Sequence, residues 1–178
     1  MHLSVLQALP LCFFLDDNRQ RVKLQEKEVL ELGAGTGLVT IVASLLDEQS
    51  FSHSYRPARG AGKPQLQCDE EHQGAGQCSH MPKMEALAWG YDLEHTHPTS
   101  GFRYNYILAA DVVYHHDFLD ELLATMKHFC QPGTTLIWAN KVRFESDITF
   151  IDNFKNTFYT SVLAEDGKMR IFMATCRE

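Results

Sequence analysis

The run Val29-Leu30-Glu31-Leu32-Gly33-Ala34-Gly35-Thr36-Gly37-Leu38 constrains the fold more than any other part of the chain. It reads as a short apolar strand ending in an acid, a tight glycine turn, and the first turn of a helix. Three glycines at alternate positions leave a backbone without Cβ atoms, against which an adenosyl ligand can lie. The spacing is G-x-G-x-G rather than the G-x-G-x-x-G of dinucleotide sites. Glu31 suits a ligand with a positive group, such as the amino acid end of S-adenosylmethionine, and suits a pyrophosphate poorly. A ligand-free strand-to-helix turn is the plainer alternative.

The rest of the chain repeats the strand-then-helix order. Residues 3–16 read as helix, 28–32 as strand, and Leu38 to Leu46 as an uncharged helix packed on a sheet. Asn105 to Asp111 is a second buried strand ending in an acid. Phe118, Leu119, Leu122, Leu123, Met126 and Phe129 recur at helical spacing and stop at Gln131-Pro132-Gly133. Thr134 to Ala139 is a third strand, Ile148, Ile151, Phe154 and Phe158 mark a further helix, and Lys168 to Thr175 a last strand. Alternation of this kind predicts an α/β fold, a mostly parallel sheet with helices on both faces. Ligands of such sheets sit beyond the carboxyl ends of the strands, where Glu31 and Asp111 both fall.

Composition sets outer limits. At 178 residues the chain fits a single domain, 1–178. Its net charge of −7 and the lack of any run of about five basic residues argue against nucleic acid as a partner. Five scattered cysteines, an odd number, favour a reducing compartment, cytoplasmic or also nuclear. Leu3 to Leu15 is apolar, but it lacks a basic leader and Asp16-Asp17-Asn18 follows it, so secretion is not expected. No stretch reaches the roughly eighteen apolar residues that would span a membrane.

Residues 48–82 break the pattern, with Ser, His, Gly, Arg, Gln and Pro crowded together in neither helical nor strand period. Cys68, His72, Cys78 and His80 lie here, but C-x3-H-x5-C-x-H matches no usual zinc site, so no metal is expected.

Glu31 to Gly37, Trp89-Gly90, Asp111-Val112-Val113-Tyr114 and Trp138-Ala139-Asn140-Lys141 occur in this order. Together they resemble the methyltransferase-like 21 branch of the seven-strand protein-lysine methyltransferases. The resemblance covers 11–46 and 84–178. It implies a Rossmann-like seven-stranded sheet and S-adenosyl-L-methionine as cofactor. It implies that Glu31, Gly33, Ala34, Gly35 and Gly37 hold that cofactor, that Trp89 packs on the adenine, and that Ala110 adds backbone nearby. Asp111 and Tyr114 would lie beside the target lysine as catalytic residues. Protein substrates of the chaperone, ATPase or translation-factor class follow by the same resemblance. The plainer readings are that Asp111 caps the next helix, Tyr114 packs half-buried, and Trp89 belongs to the core.

The chain departs from the family twice. A Trp-Pro-containing stretch ahead of the first long helix is missing, so an N-terminally truncated or altered lid is expected. After Leu46 the family has a strand ending Ala-Thr-Asp-Leu-Pro, whose aspartate binds the ribose hydroxyls. This chain has Ser54-Tyr55-Arg56-Pro57-Ala58-Arg59-Gly60-Ala61-Gly62-Lys63-Pro64. Permitted codons for that segment, read one nucleotide later, give Ala-Thr-Asp-Leu-Pro-Glu-Val-Leu-Gly-Asn-Leu. Residues 50–80 thus read as an out-of-frame translation of the second strand and its helix. The expectation is a disrupted second strand, an unpaired sheet edge beside the glycine loop, and disorder or poor packing over 48–80. Activity should be weak or absent, and the alternative function is a pseudoenzyme that only binds proteins.

Overall fold

A computed structural model describes residues 3–46, 52–57, 82–101, 103–114 and 116–177. Their order is α1 (Leu3–Asp17), β1 (Val29–Leu32), α2 (Leu38–Leu46), β2 (Ser52–Pro57), β3 (Lys83–Leu87), α3 (Leu93–Thr96) and β4 (Tyr106–Ala110). A 3-10 turn at His116–Phe118 then leads into α4 (Leu119–Phe129), β5 (Thr135–Lys141), α5 (Glu145–Thr157), β6 (Phe158–Asp166) and β7 (Met169–Cys176). The strands form one sheet of order β3-β2-β1-β4-β5-β7-β6. From β3 to β5 every pairing is parallel, and β7 and β6 add antiparallel at the far edge.

Period-two alternation sorts the strand residues between two cores. Leu30 and Leu32 of β1, Ile107 and Ala109 of β4, and Leu136 and Trp138 of β5 face one side, where α4 and α5 cover them with Leu122, Met126, Phe150 and Phe154. Val29, Leu108, Ile137 and Ala139 face the other, beneath Leu11 and Leu15 of α1 and Val39 and Ala43 of α2. Trp138 anchors the first core, stacked on Phe172 and edge-on to Phe150. The expected α/β class, with a mostly parallel sheet between helices, is what forms.

Two expectations need correction. The edge beside β1 is not unpaired: Ser52–Pro57 runs parallel to β1 in the register Leu30↔His53 and Leu32↔Tyr55, and parallel to β3 on its other side. The physical reason is that ladder bonds join backbone groups whatever the side chains are, so losing apolar alternation weakens packing without forbidding pairing. The remainder of the irregular stretch, 47–51 and 58–81, lies outside the described residues, and with it the expected disorder and the Cys68, His72, Cys78 and His80 group. The second correction is β6, which the sequence reading passed over. Phe158 there closes a helical stripe, yet it begins an antiparallel strand joined to β7 across Gly167, at φ 56°.

Among the described residues no group of His, Cys, Asp or Glu is placed to hold a metal. No described helix is long and apolar enough to cross a membrane.

Candidate active site

Along the parallel strands, connections from β1 lead one way to β2 and those from β4 lead the other way to β5. The carboxyl ends of β1 and β4 therefore flank the point where strand order reverses, the usual ligand position of an open α/β sheet. The glycine loop leaves β1 there, and Asp111 leaves β4.

The two loops touch. Gly33 has φ 73°, and a Cβ built on it would come within 2.6 Å of Val112 Cγ1 and 3.9 Å of Trp89 Cζ2. Only a residue without a side chain lets the two loops approach so closely. Gly37, at φ 79°, has nothing within 4 Å of such a Cβ. Its N–H closes the turn on the Ala34 carbonyl at 2.6 Å, and its own carbonyl accepts from Ile41 in the first turn of α2. Gly33→Ala is expected to cost about 2–4 kcal/mol, left-handed strain plus the clash with Val112, while Gly37→Ala costs about 1–2 kcal/mol of strain alone. Urea unfolding of both variants checks the difference; equal losses would contradict the contact.

Glu31 shares the α1–α2 side of the sheet with Val29, because the two alternate with Leu30. It is buried, and its Oε2 accepts the Thr40 backbone N–H at 2.8 Å and the Thr40 hydroxyl. The carboxylate thus fastens the glycine loop to α2. Beneath it, burial pushes the Cys12 thiol up to about 11, with the Glu31 charge adding to the effect. Ala34 is buried, Gly35 and Thr36 are exposed at the turn, and Ala110 at the end of β4 is half-buried.

Trp89 follows β3 and packs half-buried against the α4–α5 core, near Gly33. Its indole Nε1 is buried without a hydrogen-bond partner among the described residues. Gly90 beside it sits at φ 69° and donates to Thr125 Oγ1 at 2.9 Å.

Asp111 takes a left-handed conformation at φ 51° and is 7% exposed. It does not cap α4. Both its oxygens accept from one guanidinium, Arg143 Nη1 to Oδ1 at 2.8 Å and Arg143 Nη2 to Oδ2 at 2.9 Å. Arg143 is held in turn: its Nη1 donates to the Lys141 carbonyl at 3.0 Å and its backbone N–H to Asp147 Oδ2 at 2.6 Å. Asp147 is fully buried, and the same oxygen accepts the Phe144 N–H at 3.0 Å. A chain of charge-assisted bonds therefore joins the ends of β4 and β5 to the start of α5. Tyr114 stands exposed on the loop after Asp111. Sequence reading missed Thr40, Val112, Arg143 and Asp147. Only Asp147 left a signal, an acid three residues after the chain enters the helix.

A glycine loop and an acid-ended strand flank the switch point of this sheet, the arrangement of an open α/β ligand site. Solved structures agree on the fold. A ribosomal protein L11 methylase from Lactobacillus delbrueckii subsp. bulgaricus superposes with a TM-score of 0.60 at 13% identity, covering 100% of this chain and 80% of that one. Human N-acetylserotonin methyltransferase in complex with SAM gives 0.57 at 10% identity, covering 96% and 55%. The lysine methyltransferase family model matches residues 6–157, and the chain belongs to that family.

Within the family the chain is similar to the methyltransferase-like 21 branch. It is 41% identical over 151 residues to mouse protein-lysine methyltransferase METTL21E, covering 85% of this chain and 60% of the relative. It is 42% identical over 151 residues to the human methyltransferase-like protein 21E pseudogene, covering 85% and 54%. To EEF1A lysine methyltransferase 3 of Xenopus tropicalis it is 31% identical over 162 residues, covering 90% and 67%. The chain spans between half and three fifths of the length of its METTL21E relatives.

S-adenosylmethionine is the cofactor of this class, and the residues present fit part of it. The exposed turn at Gly35–Thr36 ahead of α2, with the Glu31 carboxylate fastened beneath it, suits the charged methionine end. The partnerless indole N–H of Trp89 suits the adenine end. At the ribose the fit is incomplete: Ser52–Pro57 contains no acid, where the family resemblance implies an aspartate at about Tyr55-Arg56.

Proposed function

We propose that the chain is an S-adenosylmethionine-dependent protein-lysine N-methyltransferase, folded as a single domain, whose activity is impaired in this product. The reading rests above all on the Gly33–Val112 approach, which brings the cofactor loop and the Asp111 loop together. Bound S-adenosylmethionine supplies a methyl group made electrophilic by its sulfonium. Glu31, Gly33, Ala34, Gly35, Gly37, Trp89 and Ala110 hold that group, and Asp111 and Tyr114 orient the lysine.

Methyl transfer to an amine is an in-line displacement, so alignment is the enzyme's main contribution. A free lysine with pKa near 10.4 is almost wholly protonated at neutral pH, and its ammonium has no lone pair to donate. Water takes that proton, after which an acceptor carboxylate and a phenol can hold the remaining N–H groups. Protein substrates follow from the family, and eEF1A is a reasonable first probe because a relative carries that activity in its name. The cytoplasm or nucleus is the proposed location.

A second reading, a non-catalytic protein-binding relative, is favoured by one observation, the absence of an acid in Ser52–Pro57. Calorimetry with S-adenosylhomocysteine, together with methylation of bacterially expressed eEF1A and a lysine-peptide array at millimolar S-adenosylmethionine, separates the two. The methyltransferase reading expects weak binding and slow but measurable lysine methylation. No heat and no transfer would leave the binding-protein reading.

A further inference from the structure

We propose that the carboxyl end of the sheet carries a docking surface for the protein substrate, an exposed apolar and acidic rim fitted to a segment whose target lysine is flanked by arginines. The inference rests on the protein-lysine reading for where the lysine enters, and names the kind of segment that would present it.

Three loops build the rim. Tyr91 follows Trp89-Gly90 after β3, Phe118 leads into α4, and Phe144 and Ile148 stand at the start of α5. Each loop leaves a parallel strand at its carboxyl end, the end that Asp111 shares. Gly90 lies against α4: a Cβ there would meet Glu121 Cβ at 2.8 Å, and its N–H donates to Thr125 Oγ1 at 2.9 Å. Phe118 precedes Glu121 by one helical turn. Arg143, next to Phe144, reaches Asp111 at the end of β4. The three loops thus gather at one end of the molecule.

Tyr91 is 74% exposed, and Phe118, Phe144 and Ile148 are between 49% and 59% exposed. Large apolar side chains left in solvent and rimmed by polar residues mark a contact surface. Charge says what it contacts. Residues 91–95, 117–121 and 144–148 contain no lysine or arginine, while Asp92, Glu94, Asp117, Asp120 and Glu145 are exposed within them. A helix dipole explains an acid in a first turn, but not an exposed phenylalanine or isoleucine beside it. Rings set among carboxylates suit arginine. Its alkyl stem packs on an apolar side chain, its planar head lies over a ring, and its charge pairs with an acid. The same field draws in the ammonium of the target lysine.

The test is fluorescence anisotropy of the full chain with two labelled peptides, each with one central lysine, flanked in one by arginines and in the other by glutamines. The arginine peptide is expected to bind about tenfold tighter at low ionic strength, with most of that margin gone in about 0.5 M salt. Tyr91→Ser and Phe118→Ser together should weaken it about fivefold without shifting the urea midpoint, because both side chains are exposed. Asp117→Asn with Asp120→Asn should weaken it to a similar degree. Glu26→Gln with Glu28→Gln, an equal change of charge just ahead of β1 at the opposite end of the sheet, should leave affinity alone. Equal affinity for the two peptides, or equal losses from the two charge changes, overturns the inference. The first removes the arginine preference, and the second reduces it to the net charge of the chain. Methyl transfer from S-adenosylmethionine is followed on the same peptides. An arginine peptide that binds as expected but is never methylated overturns the methyltransferase reading and leaves the docking surface. Transfer to both peptides at the same KM overturns the docking surface and leaves that reading.

Discussion

Replacing residues 54–64 by Ala-Thr-Asp-Leu-Pro-Glu-Val-Leu-Gly-Asn-Leu is expected to tighten S-adenosylmethionine binding by roughly two to four powers of ten. The argument starts from backbone register. Ser52–Pro57 already pairs with β1 and β3, so the position that should carry the ribose-binding acid is delivered to the carboxyl edge of the sheet. What the resemblance would add there is a negative charge, in place of Tyr55 and Arg56. Two hydrogen bonds to a charged acceptor are worth about 1.5–3 kcal/mol each, which sets the range. Calorimetry on the original and the replaced chain measures the gain directly. A control that changes only the Arg56 position, Arg56→Asn in one chain and Arg56→Asp in another, separates charge from general repair of the segment. Equal affinity across these chains would show that the shifted reading frame is not what weakens the site.

The second large effect is structural. Asp147→Ala should cost about 2–5 kcal/mol in urea unfolding, more than removal of any exposed charge on the molecule. Asp147 is fully buried, and one carboxylate oxygen accepts two backbone N–H groups, from Arg143 and Phe144. Deleting it leaves both donors without their partner at the start of α5, and burial makes each such loss costly. Arg143 would lose its backbone tether in the same stroke, loosening the fork it makes on Asp111. A loss below about 1 kcal/mol would mean that water replaces the carboxylate and that the α5 entry is less closed than its burial implies.

Much of the fold was legible because burial imposes period. Val29 to Leu32, Tyr106 to Ala110 and Thr135 to Lys141 sit between two helical layers, and such strands must be apolar on both faces. The hairpin strand β6 escaped because much of it is exposed, so Tyr159 to Asp166 carries no clean alternation. Its one clear mark is Asp166-Gly167, a turn pair between two extended segments. At the site, the glycine loop and Asp111 were readable because special backbone and an acid after a strand are local features. Arg143 was not, since nothing in its neighbourhood signals a partner that lies 32 residues earlier in the chain. Glu31 was half legible: the acid was read as a ligand contact, while its bonds to Thr40 arise from strand alternation that turns it under α2.

The left-handed backbone at Asp111 bears on how such chains are judged as they drift. At φ 51° the position tolerates aspartate or asparagine and resists branched or bulky side chains. Selection for folding alone would therefore preserve an aspartate here long after selection for turnover had lapsed. A surviving Asp111 is a poor witness to living chemistry, and surveys that sort working enzymes from silent copies should give more weight to the acid of the second strand, which no backbone geometry protects.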